Sequence, residues 1–188
     1  MGLTEEKIES ALLHVLEKSL GPGVEPRKEQ LDVLKTLFVD NTNVLLIQPT
    51  GWGKSMVYWA AAHALREEGY GMTVIISPLI ALMGDQIKQG RAAGLSIYTM
   101  NSSNREDWDD IQDRILGDEV DVLLVSPEFL VSAENFTTIR DYIAFVAIDE
   151  AHCIADWENF RVDYLRLQMR LKEIPKARVL AVTATADE

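Results

Sequence analysis

Apolar and polar positions along the first 38 residues follow helical spacing. Residues 4–20 place Ile8, Leu12, Val15 and Leu16 on one side of a helix. The run Gly21-Pro22-Gly23 ends that segment, and residues 27–38 form a second amphipathic stretch. The pattern therefore predicts two helices at the start of the chain.

From residue 43 onward, short apolar runs alternate with amphipathic stretches. The apolar runs predict strands at 43–47, 72–77, 95–100, 120–125, 145–148 and 179–182. The stretches between them predict helices at 55–68, 79–93, 105–116 and 162–172. The runs are rich in β-branched residues and lack polar alternation, which is typical of parallel strands buried on both faces. We therefore expect an α/β domain with a mostly parallel central sheet and helices on both faces.

At 188 residues and 47% hydrophobic, the chain is the size of one globular domain. We expect residues 1–23 to form a helical N-terminal extension and residues 24–188 to form the domain. No apolar run approaches the ~20 residues of a membrane span, and no leader pattern opens the chain, so we expect a cytosolic protein. Cys153 is the single cysteine, which excludes an internal disulfide. The three histidines are too far apart for a local zinc pattern.

The stretch QPTGWGKSM at 48–56 lies between a predicted strand and a predicted helix. This is the setting of a phosphate-binding loop, in which backbone N–H groups converge on phosphate oxygens at a helix N-terminus. Lys54 would contact the β and γ phosphates, and the Ser55 hydroxyl would bind Mg²⁺. The alternative is a strand-to-helix turn with an exposed lysine. The predicted nucleotide-binding residues of the loop are Thr50, Gly51, Trp52, Gly53, Lys54 and Ser55.

Two positions in this loop depart from the usual pattern. Gln48 stands where G-x-x-x-x-G-K-[ST] has glycine, which is tolerable if the backbone keeps a negative φ. Trp52 lies between two glycines, where its ring would obstruct phosphates if it pointed inward. We expect the ring to project away and pack on neighbouring residues. The alternative is a contact with a second domain or with nucleic acid.

Two adjacent acids, Asp149 and Glu150, follow the predicted strand at 145–148. Ligands of open parallel sheets bind at the carboxyl ends of the strands. Asp149 could therefore hold Mg²⁺, and Glu150 could orient and deprotonate an attacking water. The alternative is a solvated turn, but a phosphate-binding loop earlier in the same sheet favours one shared site.

The sequence Asp-Glu-Ala-His at 149–152 is the DEAH box of superfamily 2 helicases. The longer string DEAHCIADWENFR, together with SPLIALMGDQ at 77–86 and TATAD at 183–187, resembles the RecQ family of DNA helicases. The resemblance implies a first RecA-like lobe of the P-loop NTPase class, with ATP and Mg²⁺ as cofactors. It further implies DNA-stimulated ATP hydrolysis and 3′-to-5′ unwinding. Such a protein would be nucleoid-associated in a bacterium and nuclear in a eukaryote.

The resemblance also implies roles for single residues. Arg27 and Gln30 would read adenine, although Gln30 could instead be an ordinary helix-surface residue. His152 would relay the nucleotide state to the TAT motif, or it could be a hydrogen-bonded structural histidine. The remaining residues would contact DNA or couple DNA binding to hydrolysis: Ser77, Gln86, Ser126, Trp157, Phe160, Arg161, Thr183 and Thr185. The aromatic loop of residues 153–164 could alternatively be a core or lobe-interface cluster.

The chain is acidic, with a formal net charge of -12 and a pI of about 4.7. A protein that grips nucleic acid alone usually has a basic face. The resemblance implies a second RecA-like lobe, which lies outside this chain and carries the arginines of the ATP site. We therefore expect single-stranded and duplex DNA to be held largely by such other parts. Without those arginines, hydrolysis should be very slow. The competing hypotheses are another superfamily 2 motor, such as an RNA helicase or duplex translocase, and a nucleotide-binding interaction module without turnover.

Overall fold

A six-stranded, all-parallel sheet forms the centre of the protein. The structure, a computed structural model, describes residues 2–152, 161–174 and 176–184. The strand order is β1-β6-β5-β2-β4-β3, and every neighbouring pair is parallel. The strands are β1 Val44–Ile47, β2 Met72–Ile76, β3 Ile97–Met100, β4 Val122–Val125, β5 Ile143–Ile148 and β6 Arg178–Thr183. This confirms the predicted α/β class with a parallel central sheet.

Helices connect the strands and cover the sheet. They are α1 Glu5–Leu20, α2 Lys28–Phe38, α3 Lys54–Glu67, α4 Ile80–Ala92, α5 Trp108–Leu116, α6 Pro127–Val131, α7 Ala133–Ile139 and α8 Arg161–Lys172. The short helices α6 and α7 were not predicted, because helices of 5 and 7 residues are too short to repeat an apolar pattern. Residues 105–107, expected to continue α5, form a separate 3₁₀ turn.

The two faces of the sheet carry separate apolar clusters. Leu46, Ile75 and Phe145 face one cluster, which α1 to α4 complete. Val74 and Val146 face the other, which α5 to α8 complete. Because side chains alternate across a strand, β2 to β6 contribute to both clusters, whereas β1 contributes only to the first. Helices on both faces are therefore confirmed.

Strand β1 differs from the prediction that all strands are buried on both faces. It is an edge strand, and it pairs with β6 in the described part of the chain. Leu46 is buried against α2 and α3, whereas Leu45 and Ile47 on the opposite face are 60% and 46% exposed. The sequence could not indicate that β1 is exposed on one face, because an edge strand and a central strand can both be continuous runs of apolar residues.

The N-terminal helix α1 shares its core with the rest of the domain. Thr4 caps the helix by accepting a hydrogen bond from the backbone N–H of Lys7. Leu12 and Val15 are fully buried in the same cluster as α3. The His14 ring stacks on the His63 ring of α3 with centroids 4.3 Å apart. No helix among the described residues is both long and apolar enough to cross a membrane.

Two glycines of α4 should respond oppositely to alanine substitution. A Cβ on Gly90 would lie 1.9 Å from Ile97 Cδ1 and 3.2 Å from the Trp59 ring, both fully buried. Overpacking there should outweigh the gain in helix propensity, so Gly90→Ala should lower the free energy of unfolding by about 1 kcal/mol. A Cβ on Gly84 would meet nothing within 4 Å. Gly84→Ala is therefore the matched control and should stabilise by about 0.5–1 kcal/mol.

Denaturant unfolding of the two variants beside the wild type measures both changes. Equal stabilisation by both substitutions would mean that α4 and β3 are less tightly packed than these distances require.

Candidate nucleotide site

The loop between β1 and α3 has the backbone of an anion-binding turn. Gly51 and Gly53 have φ values of 81° and 98°, in the left-handed region that favours glycine. Gly53 caps α3, so the loop ends at a helix N-terminus with partial positive charge. Gln48 does not have a positive φ, so a residue other than glycine fits this position of the loop. Its N–H donates to the Thr183 carbonyl of β6 at 3.1 Å, which fixes the start of the loop.

Lys54 lies across this loop. Its Nζ donates to the carbonyl oxygens of Gln48 at 2.7 Å and Pro49 at 3.2 Å. The ammonium group is thus held at the mouth of the loop, half-buried, beside the N-terminus of α3. Lys54 is thus held by the loop itself, and its contact with phosphates remains a prediction.

The Trp52 ring contacts the apolar core next to the loop. It is half-buried and packs against the apolar cluster beneath α1 to α4. Its backbone N–H donates to the Pro49 carbonyl at 3.2 Å. The prediction that Trp52 is a packing residue is confirmed.

Gln30 joins α2 to the same loop. The side chain is 3% exposed, so the helix-surface alternative is wrong. Its Oε1 accepts the Arg27 N–H at 3.0 Å, and its Nε2 donates to the Gly53 carbonyl at 3.2 Å. The amide has one further N–H and one further lone pair, so adenine recognition remains a prediction. Arg27 is exposed at the start of α2.

The acidic turn after β5 is fixed on both sides. Asp149 N–H donates to Ile76 O of β2, and Ala151 N–H donates to Val182 O of β6, each at 2.9 Å. Between them, Glu150 has a φ of 48°, which is costly for a residue with a Cβ. Its N–H donates to Asp149 Oδ1 at 3.0 Å. Both residues are half-buried, and their roles in holding Mg²⁺ and water remain predictions.

The surroundings of Asp149 shift the pKa of its carboxyl group. Burial, followed by the neighbouring Glu150 charge, raises the pKa of Asp149 to about 6. The Glu150 N–H, Lys54 and Gln86 act in the opposite direction. A half-buried carboxylate at the end of a parallel strand is stabilised by a bound cation.

Gln86 and Tyr58 complete the surroundings of Asp149. Gln86 Nε2 donates to Asp149 Oδ2 at 2.5 Å. Tyr58 is fully buried on α3, one turn after Ser55, and burial followed by the Asp149 charge raises the pKa of its phenol well above the usual value. The Gln86 and Ser55 side chains lie against this phenol and lower its pKa. Sequence reasoning missed Tyr58, although its spacing from Ser55 places both on one helix face.

The donor set around Asp149 fits Mg²⁺. Asp149 and Ser55 would supply hard oxygen ligands, and Mg²⁺ takes one or two such protein ligands while keeping several waters. The buried Gln86 Oε1 has no hydrogen-bond partner in the part of the chain that the structure describes. A buried carbonyl oxygen without a partner beside the carboxylate can accept from a metal-bound water.

His152, which follows β5, contacts the last residue of β6. Its Nδ1 lies 2.9 Å from Thr183 Oγ1 and 3.4 Å from Glu150 Oε2. The predicted relay residue and the predicted TAT residue are thus in contact, and Glu150 is beside them. The relay itself remains a prediction.

Comparison with protein families agrees with this geometry. The model for "DEAD/DEAH box helicase" matches residues 27–188, most of the chain. The chain belongs to the DEAD/DEAH box helicase family.

RecQ helicases are among the curated relatives of this chain. The ATP-dependent DNA helicase RecQ of Haemophilus influenzae is 37% identical over 164 residues, which are 86% of this chain and 26% of the relative. The ATP-dependent helicase SGS1 of Saccharomyces cerevisiae is 32% identical over 179 residues, covering 89% of this chain and 12% of the relative. The resemblance to RecQ predicted from the motifs is confirmed. The chain spans about a quarter of the length of the bacterial RecQ relatives it matches.

Solved helicase structures share the fold. The DUF1998 helicase MrfA bound to DNA and AMPPNP aligns with a TM-score of 0.77 and 16% identity, over 100% of this chain and 27% of that one. The Mycobacterium smegmatis helicase Lhr bound to ssDNA and AMP-PNP aligns with a TM-score of 0.69 and 19% identity, over 92% and 24%. These likenesses confirm the predicted RecA-like fold.

Several residues predicted to contact DNA lie at the same edge of the helicase lobe. Ser77 and Ser126 follow β2 and β4 and are both buried. Ser126 borders a cavity of about 330 Å³ that is also lined by Trp108, and the Arg105 guanidinium lies 5.6 Å from the Trp108 ring. Sequence reasoning missed this pair. Trp157, Phe160 and Thr185 lie outside the described residues, as does the side chain of Arg161.

Proposed function

We propose that this chain is the ATP-binding lobe of a RecQ-like DNA helicase. In this proposal it works with a second RecA-like lobe and couples ATP hydrolysis to 3′-to-5′ movement on DNA and to unwinding. The observation that carries the proposal is the position of Lys54, Asp149 and Glu150 at one edge of the sheet. The 37% identity to a RecQ helicase supports DNA as the partner.

The residues of the site would divide the reaction between them. The loop N–H groups and Lys54 bind phosphate oxygens, because both are donors at a helix N-terminus. Asp149 and Ser55 would hold Mg²⁺, which would supply positive charge beside the phosphates. Glu150 orients the attacking water and accepts its proton. His152 then passes the change in charge at Glu150 to Thr183, since the three side chains are in contact.

The charge of the chain supports the need for other DNA-holding parts. A net charge of -12 disfavours tight binding of a polyanion by this lobe alone. DNA would therefore be held between this lobe and others. A polypeptide that joins this chain to a second RecA-like lobe is called the two-lobe protein.

ATP hydrolysis by the two-lobe protein tests the proposal. We expect single-stranded DNA to raise the rate of hydrolysis and single-stranded RNA to raise it much less. The chain alone should bind nucleotide and hydrolyse ATP very slowly, because an arginine from a second lobe contributes ~10³–10⁵ in rate.

Each competing hypothesis predicts a different outcome. Stimulation by RNA instead of DNA would indicate an RNA helicase, and stimulation by duplex alone would indicate a duplex translocase. Nucleotide binding with no turnover in the two-lobe protein would indicate an interaction module.

A further inference from the structure

Gln86 occupies an unusual place in the lobe. It lies on α4, which follows the Ser77–Pro78 turn, yet its side chain points inward and is only 9% exposed. Its Nε2 donates to Asp149 Oδ2 at 2.5 Å, so one end of the amide is used at the proposed magnesium ligand. The side chain is therefore directed at the nucleotide site and away from the surface.

The carbonyl end of the same amide makes no comparable contact. Gln86 Oε1 is buried and lacks a hydrogen-bond partner among the described residues. Leaving a buried carbonyl oxygen unpaired is unfavourable, and buried polar groups in native proteins are normally paired. This oxygen belongs to the same amide that holds Asp149, so an acceptor lies directly beside the carboxylate.

Tyr58 lies beside this amide. Its phenol is buried and close enough to the Gln86 and Ser55 side chains for both to lower its pKa. Ser55, Tyr58, Gln86 and Asp149 thus form one group, drawn from the start of α3, the middle of α4 and the end of β5. Two of the four are the proposed magnesium ligands, and the other two lie behind them.

We propose that Gln86 is a positioning residue for the magnesium–nucleotide complex. Its N–H holds the Asp149 carboxylate in place, and its Oε1 accepts a hydrogen bond from a water of the metal. The inference rests on the proposed function. It assigns Gln86 to the nucleotide side of the lobe, as a residue that acts through Asp149.

Nucleotide binding at varied magnesium concentration tests this on the chain itself. ADP affinity is measured by calorimetry in EDTA and at rising Mg²⁺, for the wild type and for Gln86→Met. Methionine keeps the length and volume of glutamine but removes both polar ends. We expect the apparent Mg²⁺ affinity of the ADP complex to fall about tenfold, as is usual when a hydrogen-bond partner of a metal ligand is lost. ADP affinity in EDTA should stay within about twofold, because the phosphate-binding loop is unchanged.

Gln89→Met is the matched control, since Gln89 is exposed on the same helix. It should behave as the wild type. Melting temperatures of all variants are measured beside the titrations. If Gln86→Met does not fold, Tyr58→Phe removes one hydroxyl from the same group and should lower the Mg²⁺ affinity several-fold.

The outcomes separate this inference from the function on which it rests. A wild-type chain that binds no ADP in EDTA or Mg²⁺ would contradict the proposed nucleotide site. The role of Gln86 would be overturned by a different result. In that case Mg²⁺ strengthens ADP binding to the wild type, and a folded Gln86→Met chain shows the same dependence on magnesium. If only Tyr58→Phe is folded, an unchanged magnesium dependence in that variant would overturn it.

Discussion

Glu150→Gln should lower the rate of ATP hydrolysis by the two-lobe protein about 10²–10⁴-fold, the usual contribution of a general base. The amide cannot accept the proton of the attacking water at neutral pH. Nucleotide affinity should change little, because glutamine has the same shape and the Glu150 backbone N–H still donates to Asp149. DNA stimulation should be lost together with the basal rate, because both depend on the same step.

Steady-state hydrolysis with and without single-stranded DNA measures this effect, and ADP binding to the same protein separates chemistry from affinity. Glu119→Gln is the control, because Glu119 is an exposed acid paired with Arg114 away from the site. Near-normal turnover in Glu150→Gln would show that another group accepts the proton. Loss of ADP binding would instead show that Glu150 supports the turn itself.

Lys54→Met should weaken ADP binding to the chain at least about thirtyfold. Removing one partner of a buried, hydrogen-bonded charge pair costs about 2–5 kcal/mol, and phosphate would be left without its nearest full positive charge. The lysine also bridges the Gln48 and Pro49 carbonyls, so its loss removes two contacts within the loop. Methionine keeps the apolar stem and limits the packing change.

Calorimetry with ADP and Mg²⁺ checks this prediction. Lys88→Met is the control, since Lys88 is exposed on α4 and pairs with Asp85. It should bind ADP as the wild type does. A Lys54→Met chain that keeps wild-type affinity would return the loop to an ordinary strand-to-helix turn.

The sequence predicted the sheet and the nearness of Lys54 to Asp149, because both depend on local patterns. Apolar runs followed by glycine or acidic turns define strand ends, and strand ends of a parallel sheet lie at one edge. Lys54 and Asp149 could therefore be assigned to one site without coordinates. The motifs that resemble RecQ also predicted the protein family, and the comparison with known proteins confirms that prediction.

Features that depend on tertiary packing were not predictable in the same way. Gln86 and Tyr58 approach Asp149 from two different helices, and no spacing in the sequence encodes that contact. Gln30 resembles a surface residue until α2 packs on the loop. The left-handed Glu150 is likewise set by the hydrogen bonds of its neighbours to β2 and β6, which override the local preference of a residue with a Cβ.

The strand order has a consequence for how the lobe forms during synthesis. Strand β6 is inserted between β1 and β5, and its Val179 N–H bonds to Asn43, 136 residues earlier in the chain. In the described part of the chain, β1 therefore gains its strand partner only when β6 has left the ribosome. Pairings of such long sequence separation form slowly, because the intervening chain must first be ordered. The loop between β1 and α3 is translated early, but it is held beside the DEAH turn only after β6 has joined the sheet.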